Sequence, residues 1–140
     1  MFFKRDEGLC EQVERLYLLD ITFESGMKVV KIGKSSGKHS IDRMLQIQRD
    51  YFKKYRTTFL CRIKRDREVK KDVFKIEAEL HRFFSDFRYT AKIPFDGSTE
   101  LFAIPIESAI EAYEWLSDGN SLDDYEYDLP EMVVEDALPF

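Results

Sequence analysis

Apolar and polar positions along this chain keep first a strand rhythm and then a helical one. Leu16, Tyr17, Leu18, Leu19 and Ile21 form an apolar and aromatic run, as a buried strand requires. Glu24-Ser25-Gly26 supplies a reversal, with Gly26 free to take a positive φ. Met27 to Ile32 returns as a second strand that carries two lysines, and Gly33-Lys34-Ser35-Ser36-Gly37-Lys38 reads as a small, basic, flexible loop after it. From Ser40 the spacing becomes helical. Ile41, Met44, Leu45, Ile47, Tyr51, Phe52 and Tyr55 fill one broad arc, with Ser40 as N-cap and Asp42 in the first turn.

Thr57 to Ile63 reads as a third strand, and Asp66 as the cap of a helix from Arg67 to about Phe87. The core stripe of that helix is Val69, Val73, Ile76, Leu80, Phe83, Phe84 and Phe87. A loop from Arg88 to Asp96 leads to a short apolar segment, Ser98 to Ile104, expected as a strand or edge. Pro105 suits the first turn of a last helix through Leu116. Phe2 to Glu14 is a lead-in, expected to hold a short helix. The expectation is α+β: a small three-stranded antiparallel sheet flanked by helices (a β-β-α-β-α core) with an extra C-terminal helix, spanning 1–116, and an acidic tail at 117–140.

Composition then narrows the class. A chain of 140 residues with 44% hydrophobic and 14% aromatic residues can build one domain with its own core. No apolar run approaches the roughly 20 residues of a membrane span, and the N-terminus has no signal-peptide stretch. Two cysteines and two histidines without metal-type spacing argue against structural zinc and an oxidising compartment. A soluble, cytoplasmic protein is expected.

The net charge of −5 conceals an asymmetry. Lys31 to Lys71 holds fourteen Lys and Arg against four acids, whereas Ser117 to Phe140 holds eight acids and no base. That is the pattern of a polyanion binder with an opposing tail. Hydrophobes among the tail acids, such as Tyr125, Met132 and Phe140, suit docking on its own domain, on a second copy or on a protein partner.

Three features carry candidate chemistry. The lysines around the glycine-ended second strand suit a phosphate-bearing ligand, because glycine permits close backbone approach and lysine supplies charge; a lysine-protected sheet edge is the plainer alternative. Arg43 lies at the rim of the first helix's apolar arc, where an arginine either reaches a shared surface or merely snorkels. Glu77 lies at a core boundary, where a carboxylate costs free energy unless an arginine, a lysine or a divalent metal meets it. His81 follows on the same flank.

The order strand, strand, helix, strand, helix, with these residues in place, resembles the GIY-YIG endonuclease superfamily. It looks closest to a phage-type branch with K-I-G as second half-motif. The matching residues are Leu16-Tyr17, Lys31-Ile32-Gly33-Lys34-Ser35, Arg43-Met44-x-x-Ile47-Gln48, Glu77-x-x-Leu80-His81-x-x-Phe84 and Gly97-x-Thr99-Glu100-x-Phe102. Arg15 stands where the family has the glycine of G-I-Y, and Lys31 stands at the tyrosine of Y-I-G. Glu100 falls near the position of a closing asparagine.

The resemblance implies a metal-dependent endonuclease acting on DNA in preference to RNA. Glu77 would hold Mg²⁺ or Mn²⁺, Arg43 would clamp the phosphate, and Tyr17 would orient or deprotonate water, with Lys31 or Lys34 lowering its pKa or touching phosphate. Lys34, Ser35, Lys38 and His81 would contact substrate, His81 also being readable as a proton carrier or a packed histidine. The alternative is a module that keeps the fold and binds nucleic acid or protein without cleavage.

Overall fold

The computed structural model describes residues 13–37, 39–70 and 72–124. The short helix expected in the lead-in, Lys38 and most of the acidic tail lie outside the described residues. Among the described residues seven principal elements follow in order: β1 (Glu14–Thr22), β2 (Lys28–Ser36), α1 (Ile41–Tyr55), β3 (Leu60–Glu68), α2 (Val73–Phe83), β4 (Leu101–Phe102) and α3 (Ile106–Ser117). The sheet is antiparallel in the order β3-β1-β2-β4. The α+β architecture is thus as expected, with a two-residue fourth strand drawn from the segment anticipated as a strand or edge.

The apolar run of β1 has a simple cause. β1 is interior to the sheet, and its side chains alternate between two cores. Leu16 and Leu18 join Val30, Ile32, Leu80, Phe84, Phe102 and Tyr113 under α2 and α3. Tyr17, Leu19 and Ile21 join Val29, Ile47, Tyr51, Phe59, Phe95 and Leu101 under α1. A strand buried on both faces cannot alternate apolar with polar.

Three local expectations need correction. Gly33 to Ser36 is strand and not loop: β1 continues to Glu14, and Gly33 pairs with Tyr17 and Ser36 with Glu14. Likewise β3 runs on to Glu68, where a helix was expected from Arg67, because Arg67 pairs with Leu16 and Glu68 with Arg15. Its charged half misleads as sequence, yet an edge strand tolerates and even benefits from charge. A bulge between Leu18 and Leu19 leaves Lys64 as the extra residue on β3. The stripe from Val69 to Phe87 does reach one core, but through a loop, a shortened α2 and a 3₁₀ turn (Ser85–Phe87).

Asp66 is the third correction, for it caps α1 and not the following helix. Its carboxylate accepts from the Ser40 backbone N–H (2.8 Å) and Ser40 Oγ (2.9 Å), and also from Arg15 Nε (2.7 Å). Ser40 therefore stands where an N-cap was expected, but the oxygens that satisfy the helix start come from β3. This bond seats the first turn of α1 beside the exit of β2, where Ser35 Oγ lies 2.8 Å from Ser40 Oγ. No described helix is long and apolar enough to cross a membrane.

Candidate active site

Tyr17 and Gly33 are direct partners across β1 and β2. The tyrosine ring lies over the glycine: a Cβ on Gly33 would stand 2.6 Å from Tyr17 Oη and 3.1 Å from Lys31 Nζ. Only a residue without a side chain leaves room for both groups at once. Lys31, two residues earlier on β2, is fully buried with its ammonium on the edge of the same space, 5.7 Å from the Tyr17 ring centre.

A buried ammonium needs an anion, and the turn before β4 brings one. Lys31 Nζ donates to Glu100 Oε1. Gly97 makes that approach possible. Its φ is +83°, which suits glycine, and a Cβ there would lie 2.9 Å from Lys31 Cε and 3.3 Å from Ile47 Cδ1. Burial pulls the Lys31 pKa down from its ordinary value, and the Glu100 carboxylate opposes that pull.

α2 approaches from the opposite face of the sheet. The two sides can meet because β4 pairs only with Val30 and Lys31, leaving the rest of β2 without a strand neighbour on that side. His81 Nε2 lies 2.8 Å from the Ile32 carbonyl, which can only accept, so Nε2 carries the proton. Burial holds His81 below its ordinary pKa and hence neutral, with its ring against Phe102. Glu77, one turn earlier, is 7% exposed, and its Oε2 has no hydrogen-bond partner among the described residues. Burial first, and Glu100 second, push the Glu77 carboxyl up to about 7, against the opposing charges of Lys34 and Lys31.

The hydroxyl of Tyr17 is, among the described residues, the other buried side-chain polar atom without a hydrogen-bond partner. Burial drives its pKa well above the ordinary phenol value, and the chief opposing influence is Arg43. A lysine was expected to lower this pKa; the net shift is upward and the cation acting most strongly on it is an arginine. Arg43 itself reaches the site from the first turn of α1, with both Nη atoms on the Asp96 carboxylate at 2.7 and 3.0 Å. Beside it opens a cleft of about 460 Å³ lined by Ser35, Ser36, Gly37, His39, Asp42, Arg43 and Gln46.

A family model, the T5orf172 domain, matches residues 14–117, which takes in every element from β1 to α3. The chain belongs to the T5orf172 domain family. This domain is GIY-YIG-like and nuclease-related. No curated protein and no solved structure matches the chain.

Within this T5orf172 domain, Tyr17, Lys31, Arg43, Glu77 and His81 converge from both faces of the sheet on the open edge of β2. Two other expected substrate contacts stand differently. Lys34 holds its ammonium 4.4 Å from the centre of the exposed Phe74 ring, close enough to act on Glu77. Ser35 is tied into the Ser40–Asp66 cap.

The site also contains groups that sequence reading left out of its residue set. Asp96 lies 53 residues from Arg43 in an aperiodic loop, and no local pattern signals it. Glu100 and Gly97 were visible in the closing motif, but their task of enclosing Lys31 was not. Glu77, His81 and Glu100 each offer one ligand atom, all within 4.8 Å of one another. The donor set suits a divalent ion, and the orphaned Glu77 oxygen is what a ligand awaiting one looks like.

Proposed function

We propose that this domain is a metal-dependent nuclease that hydrolyses phosphodiester bonds, in DNA in preference to RNA. One observation carries the reading. Among the described residues, Glu77 Oε2 and Tyr17 Oη are buried without hydrogen-bond partners, with Lys31 acting on the first and Arg43 on the second. Unmade hydrogen bonds of this kind cost about 1–3 kcal/mol each, so a fold that keeps two together keeps them for a ligand.

Glu77 would hold Mg²⁺ or Mn²⁺, with Glu100 within reach of the same ion and His81 able to add only Nδ1, since its Nε2 proton goes to the Ile32 carbonyl. Such an ion supplies charge neutralisation on phosphoryl oxygens and a more acidic water. The rest is the work of the chain. Burial raises the Tyr17 pKa, so in the metal-free domain the hydroxyl is protonated and would orient water or a phosphoryl oxygen as a hydrogen-bond donor. Arg43 and Lys31 add positive charge on the side of α1. The cleft from Ser35 to Gln46 gives the strand its path past Arg43.

The test is cleavage of supercoiled plasmid with Mg²⁺ or Mn²⁺, alongside binding to the same DNA. Wild type should nick and Glu77→Ala should not, while both bind within about threefold of each other. DNA binding by wild type with no cutting of DNA or RNA in either metal would sink the proposal. That result would favour the binding-only reading, for which the occupied fork of Arg43 and the lysine at position 31 already speak.

A further inference from the structure

Asp96 has no part in the chemistry above, yet its side chain and its backbone are both tied to α1. Both of its oxygens are on Arg43, and its backbone N–H donates to Asp50 Oδ2 at 2.8 Å. Asp50 Oδ2 in turn accepts from Lys54 Nζ at 3.0 Å. Nearby, Tyr55 Oη donates to the Ile93 carbonyl at 2.9 Å and accepts from the Ile93 N–H at 2.8 Å. The loop is thus fastened to α1 at three points before it turns through Gly97 against Lys31. Within five residues it holds both cations of the site, Asp96 on Arg43 and Glu100 on Lys31.

A planar guanidinium whose two Nη atoms are taken by a fixed carboxylate has one orientation left, and its fork is not free to grip a phosphate. Lys31 Nζ and Tyr17 Oη both abut Gly33, and Lys31 and Ile47 both abut Gly97. Asp96 precedes Gly97, so the fork it holds lies beside the Lys31–Tyr17 pair, near enough for Arg43 and the Tyr17 hydroxyl to act on each other. We propose that Asp96 is a positioning residue: it aims Arg43 at the Tyr17 hydroxyl, and Arg43 acts on that hydroxyl and not as the phosphate clamp. The proposal rests on the nuclease reading for its kinetic arm only. A simple competitor for phosphate would instead leave the fork when nucleic acid arrives.

Asp96→Asn and Asp96→Glu separate the two. Asn keeps the shape and loses the charge-assisted fork, whereas Glu keeps the fork. In the nuclease assay Asp96→Asn should lower kcat by about tenfold or more while KM stays within about twofold, and Asp96→Glu should recover most of the loss. Tighter nucleic-acid binding in Asp96→Asn with kcat kept or raised would overturn the assignment, and so would unchanged kinetics. A second readout needs no cleavage. The Tyr17 ¹³Cζ resonance of the full chain, recorded without metal or nucleic acid, should shift in Asp96→Asn and return in Asp96→Glu. An unmoved resonance refutes the proposal even if the protein cuts; a moved one upholds it even if the protein proves unable to cut.

Discussion

Two polar clusters sit beside each other on this sheet and are built on opposite principles. At one, Asp66 meets Arg15, the Ser40 backbone and the Ser40 hydroxyl, and Ser40 meets Ser35; the carboxylate is fully engaged. At the other, Tyr17 Oη and one oxygen of Glu77 are buried with no hydrogen-bond partner among the described residues. A satisfied network fixes structure, here the seat of α1 against β2, whereas an unsatisfied one costs stability and persists only where a ligand completes it. The contrast divides residues that look alike in a list. Arg15 and Arg43 are both partly buried arginines paired with an aspartate, yet only Arg43 acts on an orphaned group.

The widest separation between the two should come from Gly33→Ala. A methyl group 2.6 Å from Tyr17 Oη forces the ring out of a pocket with no slack, and cleavage should fall about 100-fold, near 3 kcal/mol in transition-state terms. Melting temperature should change far less than activity. Equal cleavage by Gly33→Ala and wild type would show that the position of Tyr17 does not matter.

Asp66→Ala attacks the other cluster. It should cost about 2 kcal/mol in denaturant unfolding, because it strands Arg15 and the start of α1 together. The catalytic constant of the fraction that stays folded should hold within about threefold; a loss as large as that for Gly33→Ala would move Asp66 into the active site.

The smallest effect is a difference in pH dependence. Burial would raise the Asp66 pKa, but its bonds to Arg15 and Ser40 win and hold it below the ordinary value. Its stabilising contribution is therefore present above about pH 4 and is lost as the pH falls through the folded-state value. Glu77 has the opposite sign. With its folded pKa raised to about 7, the favourable contribution is present below the unfolded value near 4.5 and is lost as the pH rises through 7. Metal-free Glu77→Gln should therefore gain on the order of 1 kcal/mol over wild type at pH 8 and nothing at pH 4. A variant less stable than wild type at pH 8 would contradict the burial account of Glu77.

How much of this was legible in the sequence follows from the range of each interaction. Lys31, Arg43 and Glu77 stand out because each puts a charge on or beside an apolar stripe, whereas Tyr17 fits its apolar strand and Gly33 reads as the start of a loop, so both are legible only through the motif they match. Asp96 and Asp66 break no local pattern. Each is an unremarkable acid in a charged segment, and its meaning comes from a partner brought near only by the fold, 53 residues away for Asp96 and 51 for Asp66. The extension of β3 was hidden for a related reason. Its strand character comes from pairing with β1, while its own side chains are almost all charged.

In the proposed mechanism Glu77 is the residue that an incoming cation completes. Titrating Mn²⁺ into the full chain by calorimetry at pH 6 and at pH 8 tests this most directly. One ion per chain should bind more tightly at pH 8, where Glu77 is ionised, and binding should vanish in Glu77→Gln. Mn²⁺ binding that survives Glu77→Gln undiminished, or no binding to wild type at either pH, would contradict it.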